Sequence, residues 1–285
     1  MGLVLGGALS VQFGAAVAAT LFPRAGVAGV LSMRLALAAV PLLVVSRPRL
    51  RGHDRRAWAA VIAFGVVLAA MNASFYAAID RIPLGPAVTL EFLGPLTLSV
   101  LGARRALSWL WAGLALAGVV LLGQGGLRGA GGPEGLDAAG AGFALAAGAC
   151  WAAYILLSAE VGRRFPRLDG LALAMAVATV LTLPAVVAGA GGTLLHPAVL
   201  ATGAAVAALS SLVPYTLELL ALRRLAASTF AVLMSLGPAI AALAGFAVLR
   251  QALSATDAVA VLLVVAAGTG AVRAGRSAPT GPAAT

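Results

Sequence analysis

The chain has 285 residues, of which 62% are hydrophobic and only 10% charged, and its mean hydropathy is +1.05. A water-soluble domain carries about 25% charged residues, so water is excluded as the main solvent, and spans of ~20 residues each leave no length for a separate soluble domain. The net charge of +10 does not mark a nucleic-acid binder, because the arginines sit in short clusters between apolar runs, where positive-inside topology puts them.

In chain order, the first 20 residues lack a basic leader and merge into the pattern that follows, so they read as a helix over 2–21 that carries Gln12, not as a signal peptide. A second span over 26–46 carries Arg34, and a third over 58–79 carries Asn72, Ser74 and Tyr76. The fourth, 84–102, holds Glu91 and the pair Gly94-Pro95; the fifth is 108–126. The sixth, 138–158, contains the single cysteine, Cys150, with Trp151 and Tyr154; its stripe Gly140, Ala144, Gly148 reads as a surface for close helix packing. The seventh is 169–189. The eighth, 198–221, carries Ser210, Ser211, Pro214, Tyr215 and Glu218, the last read as an interfacial partner of Arg223 and Arg224. Spans over 228–248, with Gly237-Pro238, and 255–272 complete the series, and 273–285 is a cytoplasmic tail.

Arginine distribution orients these spans. With the N-terminus inside, the cytoplasmic segments hold fourteen arginines (47, 49, 51, 55, 56, 104, 105, 163, 164, 167, 223, 224, 273 and 276). The outer loops hold four: Arg24, Arg81, Arg128 and Arg250. Both termini are therefore expected in the cytoplasm. An internal repeat is also visible: AIDRIPLGPAVTLEFLGP from Ala78 is echoed by ALRRLAASTFAVLMSLGP from Ala221, 143 residues later, and RRALS from Arg104 by RQALS from Arg250. The chain thus reads as one integral membrane domain of two five-helix repeats, 1–126 and 138–272. Five is odd, so the second copy enters the bilayer inverted, an arrangement of secondary transporters with the solute site near the midplane.

Enzymatic constellations are missing. His53 and His196 lie in connecting segments, and Asp54, Glu134, Asp137, Glu160, Asp169 and Asp257 fall at helix ends or in loops, with neither metal-ligand spacing nor a nucleophile beside a base. No catalytic residue, metal or cofactor is expected. The informative groups are charges inside spans, which are costly in lipid and face polar interiors. Arg34 lies eight residues after Gly26 and Glu91 seven after Leu84, so both sit ~10–12 Å below the outer surface. Equal depth and opposite sign permit either a cation and anion facing a solute cavity or a structural ion pair locking the second and fourth helices. Pro95 removes the amide that would bond the Glu91 carbonyl, so a bend that exposes this carbonyl is expected there. Gly237-Pro238 repeats the device at Met234. Kinks in matching positions of two halves point to a transport site. Polar and aromatic residues of the spans, Asn72, Tyr76, Trp151, Tyr154 and Tyr215 among them, are candidates to line it.

Several long segments resemble the drug/metabolite transporter superfamily, specifically its EamA-type exporters and among these the exporters of threonine and homoserine. They are SVQFGAAVAATLFPRAG from Ser10, SMRLALA from Ser32, NASFYAAIDRIPLGPAVTLEFLGPL from Asn72, GACWAAYILLS from Gly148 and LSSLVPYTLELLALRRLAASTFAVLMSLGPAIAAL from Leu209. The resemblance spans about residues 1–272. It implies ten helices, an alternating-access cavity lined by both halves, and efflux of amino acids or related metabolites across the bacterial inner membrane in exchange for protons. Arg34, Glu91, Asn72, Tyr76, Trp151, Tyr154, Tyr215 and Glu218 match positions of the family's motifs. Gly237 stands where the family usually has a glutamate, and Arg250-Gln251 where Gly-Glu opens the last outer loop, which puts proton coupling through the second half in doubt and leaves Glu91 as its carrier. The reading that follows is an exporter of a small zwitterionic metabolite such as threonine or homoserine. Arg34 would attract the carboxylate, and Glu91 the ammonium or the proton. Gly94, Pro95, Pro214, Gly237 and Pro238 would supply bends. Efflux of drugs or cationic metabolites is the alternative within transport; a scaffold or membrane enzyme is a remote one. Oligomeric state and solute stay open.

Overall fold

The computed structural model describes residues 2–103, 106–129, 137–189, 194, 196–214, 217, 234–252 and 254–276, and over these it is helical with no strand. Helix α1, Gly2–Ser46, breaks at Gly26, where φ is 68° and ψ 157°. Only glycine takes this conformation without strain, and the break separates two arms that match the first two expected spans. Helix α2, Arg55–Ile79, starts at Asp54, whose carboxylate accepts from the Ala57 amide at 2.7 Å. The fourth expected span is two helices, α3 (Leu84–Glu91) and α4 (Leu93–Ala103), parted at Phe92. Helix α5 is Ala106–Gly129 and α6 Ala138–Arg164, capped by Asp137 on the amides of Ala139 and Gly140. Helix α7 is Asp169–Gly189. Helix α8, Pro197–Ala207, runs into a π-helical turn at Ala208–Leu212 that the sequence reading did not anticipate. Helix α9, Gly237–Leu249, and α10, Ala255–Arg276, follow.

The carboxylates that looked scattered mostly serve helix ends. Asp54 and Asp137 are N-caps. Ser254 and Asp257 exchange hydrogen bonds at the start of α10, a reciprocal capping pair. Glu160, half-buried, pairs with Arg163 and Arg164 in the last turn of α6.

Helices α1, α2 and α6 are long and apolar enough to cross a membrane as single elements, and shorter apolar helices accompany them. Large apolar side chains such as Val45, Trp109, Leu116, Val180 and Leu262 point outward. Such a surface suits lipid.

The packing pairs elements of the two halves. The first arm of α1 lies on the π turn that continues α8, where Ser10 Oγ donates to the Leu209 carbonyl at 2.6 Å and Gly14 meets Ser210. The second arm lies on α7, where Ser32 Oγ donates to the Thr182 carbonyl at 2.9 Å. Helix α2 packs on α6, α3 on α9 and α5 on α10. Exchanging the halves turns the contact of the first arm with the π turn of α8 into that of α6 with α2 and leaves the others unchanged. Backbone meets backbone where α6 crosses α3 and α4. A Cβ on Gly148 would lie 2.5 Å from the Glu91 carbonyl oxygen, and one on Gly94 would overlap the Gly148 carbonyl. The Glu91 carbonyl freed by Pro95 is thus turned against α6. Exposure beside the carboxylate was the expectation; the absence of side chains at Gly94 and Gly148 lets the helices close over it instead.

Candidate functional site

Both halves enclose a cavity of about 540 Å³. Its wall is built from helical stripes. Helix α1 contributes Ala8, Val11, Gln12 and Ala15, and α2 contributes Leu68, Met71, Asn72 and Phe75. Both follow the i, i+3, i+4, i+7 spacing of one helix face. Each stripe is apolar except for one amide side chain near its centre. The break at Phe92 turns Glu91 into the same space, together with Phe92 and Pro95. Trp151 and Tyr154 close the side formed by α6. The π turn adds Ser210 and Ser211, with Pro214 just beyond it.

Arg34 enters from the second arm of α1. Its Nη1 donates to Tyr76 Oη at 3.3 Å, and its guanidinium carbon lies 5.5 Å from the Tyr76 ring centroid. Tyr76 is fully buried, 5.5 Å from the ring of Phe22 and 6.2 Å from that of Phe75 between centroids. Arg34 Nε is buried and has no hydrogen-bond partner among the described residues. Although Arg34 and Glu91 share the cavity, no ion pair forms between them within 4.0 Å. The structural lock between the second and fourth helices is therefore absent, because Arg34 leans on Tyr76 instead.

Of the sequence-derived candidates, Arg34, Glu91, Asn72, Trp151 and Tyr154 reach the cavity, as do Pro95, Pro214 and Gly237 of the bend positions. Tyr76 does not: it stands behind Arg34. Asn72 is partly committed, since its Nδ2 donates to the Leu68 carbonyl at 2.8 Å. Gly94 packs on Gly148, and Pro238 is buried at the start of α9. Tyr215 lies outside the described residues, as do Glu134, Glu218, Arg223 and Arg224. Trp151 meets Phe92 edge-on at 6.3 Å, and Tyr154 tilts on Phe64 at 5.0 Å. Sequence reasoning did not single out Met71, Met175 and Met234, which give the wall a deformable apolar lining. The face spacing on α2 could have found Met71 from its neighbour Asn72; Met234 was marked only for the backbone carbonyl that Pro238 frees, and nothing marks Met175.

Chemically, the described part of the cavity wall offers a guanidinium, a carboxyl group and aromatic rings, a set suited to a small polar molecule. Residues 138–272 match the model of the EamA-like transporter family. The threonine/homoserine exporters RhtA of Salmonella typhimurium (strain LT2) and Escherichia coli (strain K12) are each 37% identical over 264 residues, 92% of this chain and 87% of theirs. A protein of known crystal structure, 18% identical, superposes with a TM-score of 0.60 over 94% of this chain and 97% of its own, and so shares the fold. With an all-helical, lipid-facing architecture and relatives matched over nearly its whole length, the chain belongs to the EamA-like transporter family.

Proposed function

We propose that the chain exports a small zwitterionic amino acid, threonine or homoserine foremost, by alternating access across the bacterial inner membrane. The observation that carries this is a single cavity holding Arg34 and Glu91 with no ion pair between them. Neither side chain pairs with the other, and a ligand with a carboxylate and an ammonium offers a partner to both. The names of the RhtA relatives support the substrate class.

The finer architecture belongs to the same proposal: ten spans as two inverted repeats over 1–126 and 138–272, both termini cytoplasmic. Pairings that survive exchange of the halves support it, as do chain breaks at the equivalent positions Phe92 and Ser235-Leu236. Those breaks, next to Gly94-Pro95 and Gly237-Pro238, let one half rock on the other. Glu91 carries the coupled proton, since the second half has Met234 at the equivalent place and Gly237 where the family usually has a glutamate.

Inverted membrane vesicles containing the protein should accumulate labelled threonine, faster with an imposed proton gradient. Glu91→Gln should remove the gradient's effect. Accumulation of no amino acid refutes the substrate class, and indifference of the wild type to the gradient refutes coupling. The aromatic wall of Phe75, Phe92, Trp151 and Tyr154 favours a second reading, efflux of apolar cations. Under it, Arg34→Ala leaves drug resistance intact.

A further inference from the structure

The first turn of α3 has no cap of its own. Pro83 before it makes no side-chain bond to it, and the first amides of a helix find no partner within it. Ala87 N–H reaches the Pro83 carbonyl at 3.0 Å and Pro86 has no N–H, which leaves Leu84 among the amides that need an acceptor from elsewhere. Leu84 is fully buried, so that acceptor is not bulk water. It comes from the other half of the chain: Gln251 Oε1, at 3.0 Å.

Gln251 is held in this position from its own side. Arg250 takes a left-handed conformation (φ 56°, ψ 29°) that ends α9, and the Gln251 N–H donates back to the Gly245 carbonyl at 3.1 Å. Gly245 also makes room for the side chain, since a Cβ there would lie 2.6 Å from Gln251 Oε1. Beside this bond α3 and α9 touch directly: a Cβ on Gly85 would lie 3.1 Å from both Cα and Cβ of Ala242. The cavity begins inside this seam, at Val88 on α3 and Gly237 on α9. Opening the cavity at this end parts α3 from α9, breaks the Gln251 bond and gives the Leu84 amide to water. Without the acceptor, the closed seam alone holds an unsatisfied buried amide, and the cost falls on that state. We propose that Gln251 is a latch of the transport cycle, a side chain of the second half that caps α3 of the first and holds this end of the cavity shut; this rests on the alternating-access reading above.

Labelling of Val88→Cys by a membrane-impermeant thiol reagent, in the full-length protein carrying Cys150→Ala, tests the latch. Intact cells present one face and inverted vesicles the other. Gln251→Met keeps the length of the side chain and removes the amide oxygen. It should speed labelling about tenfold from the face that carries residue 251, external in the proposed orientation, and not from the opposite face; tenfold is the effect of one hydrogen bond to a buried amide. Gln251→Glu keeps an acceptor, now charged and set at a helix N-terminus, and should label no faster than the parent. An unchanged rate in Gln251→Met overturns the proposal. So does acceleration from both faces alike, which marks general loosening, or from the opposite face alone, and so does a Gln251→Glu variant as fast as Gln251→Met. Labelling needs no solute, so a protein that moves no amino acid loses the substrate reading while these rates still decide the latch.

Discussion

Arg34 is oriented by a phenol, not by a carboxylate. Its bond to Tyr76 Oη, at 3.3 Å, is longer than a well-formed N–H···O bond, while the ring face 5.5 Å away adds a cation–π contact. Tyr76→Phe removes the hydroxyl and keeps the ring, so a rise in KM for threonine of only a few fold is expected. Arg34→Ala removes a charge-assisted contact and should lower kcat/KM about ten- to hundredfold. Arg34→Lys should recover little of it, because an ammonium lacks the planar fork that grips a carboxylate. Initial rates in inverted vesicles check all three, and equal damage from Tyr76→Phe and Arg34→Ala would put the phenol itself on the substrate. Arg34 and Glu91 were legible in the sequence because a charge within an apolar run demands a reason. Gln12 was visible only as one polar residue among many. Helix α1 is apolar on nearly every side, since it meets protein on one face and lipid on the other, so the face containing positions 8, 11, 12 and 15 emerges only when its neighbours are known.

At the scale of elements, the parting of α3 from α4 places Glu91, and glycine makes it possible. Gly94 and Gly148 let two backbones touch where α6 crosses. A methyl at Gly94 meets the Gly148 carbonyl, which is backbone and cannot swing aside as a side chain can. Gly94→Ala should therefore cost at least the ~3 kcal/mol at the upper end of overpacking, a melting temperature lower by roughly 6 °C or more. Gly113→Ala is the control: nothing lies within 4 Å of its added Cβ, and an alanine in mid-helix is favoured over glycine by about 0.5–1 kcal/mol. Thermal unfolding of both variants in detergent measures the difference, and equal melting temperatures would contradict the contact. Close packing by α6 was legible in the Gly140, Ala144, Gly148 stripe, and proline chemistry located the interruption near Pro95. It did not reveal the direction in which the freed carbonyl turns, because that depends on α6, more than fifty residues further along. The π turn after α8 was likewise hidden, for Ala208–Leu212 contains neither proline nor glycine to announce it.

For the whole molecule, long-range contacts sort the connecting segments into two groups. The ring of His53 lies 4.3 Å from that of Phe165, joining the segment before α2 to the one after α6. At the other end, Arg81 approaches Asp137 to 4.0 Å, and the Leu84 amide donates to Gln251 Oε1 at 3.0 Å, joining the α2–α3 turn to the starts of α6 and α10. The first group carries Arg47, Arg49, Arg51, Arg55, Arg56, Arg163, Arg164 and Arg167; the second carries Arg81 and Arg250. A bilayer between the groups has far more arginine on one side, and arginine is retained in the cytoplasm. Reporter fusions after residues 52 and 165 should therefore both behave as cytoplasmic, inactive as alkaline phosphatase and active as a fluorescent protein. Fusions after 82 and 252 should show the reverse. Opposite behaviour of the 52 and 165 fusions would separate segments whose side chains touch, and would sink the inverted architecture along with the cavity between its halves. Uniform reversal of all four would keep the architecture and turn it over in the membrane, making the arginine-rich face external and the proposed direction of transport wrong.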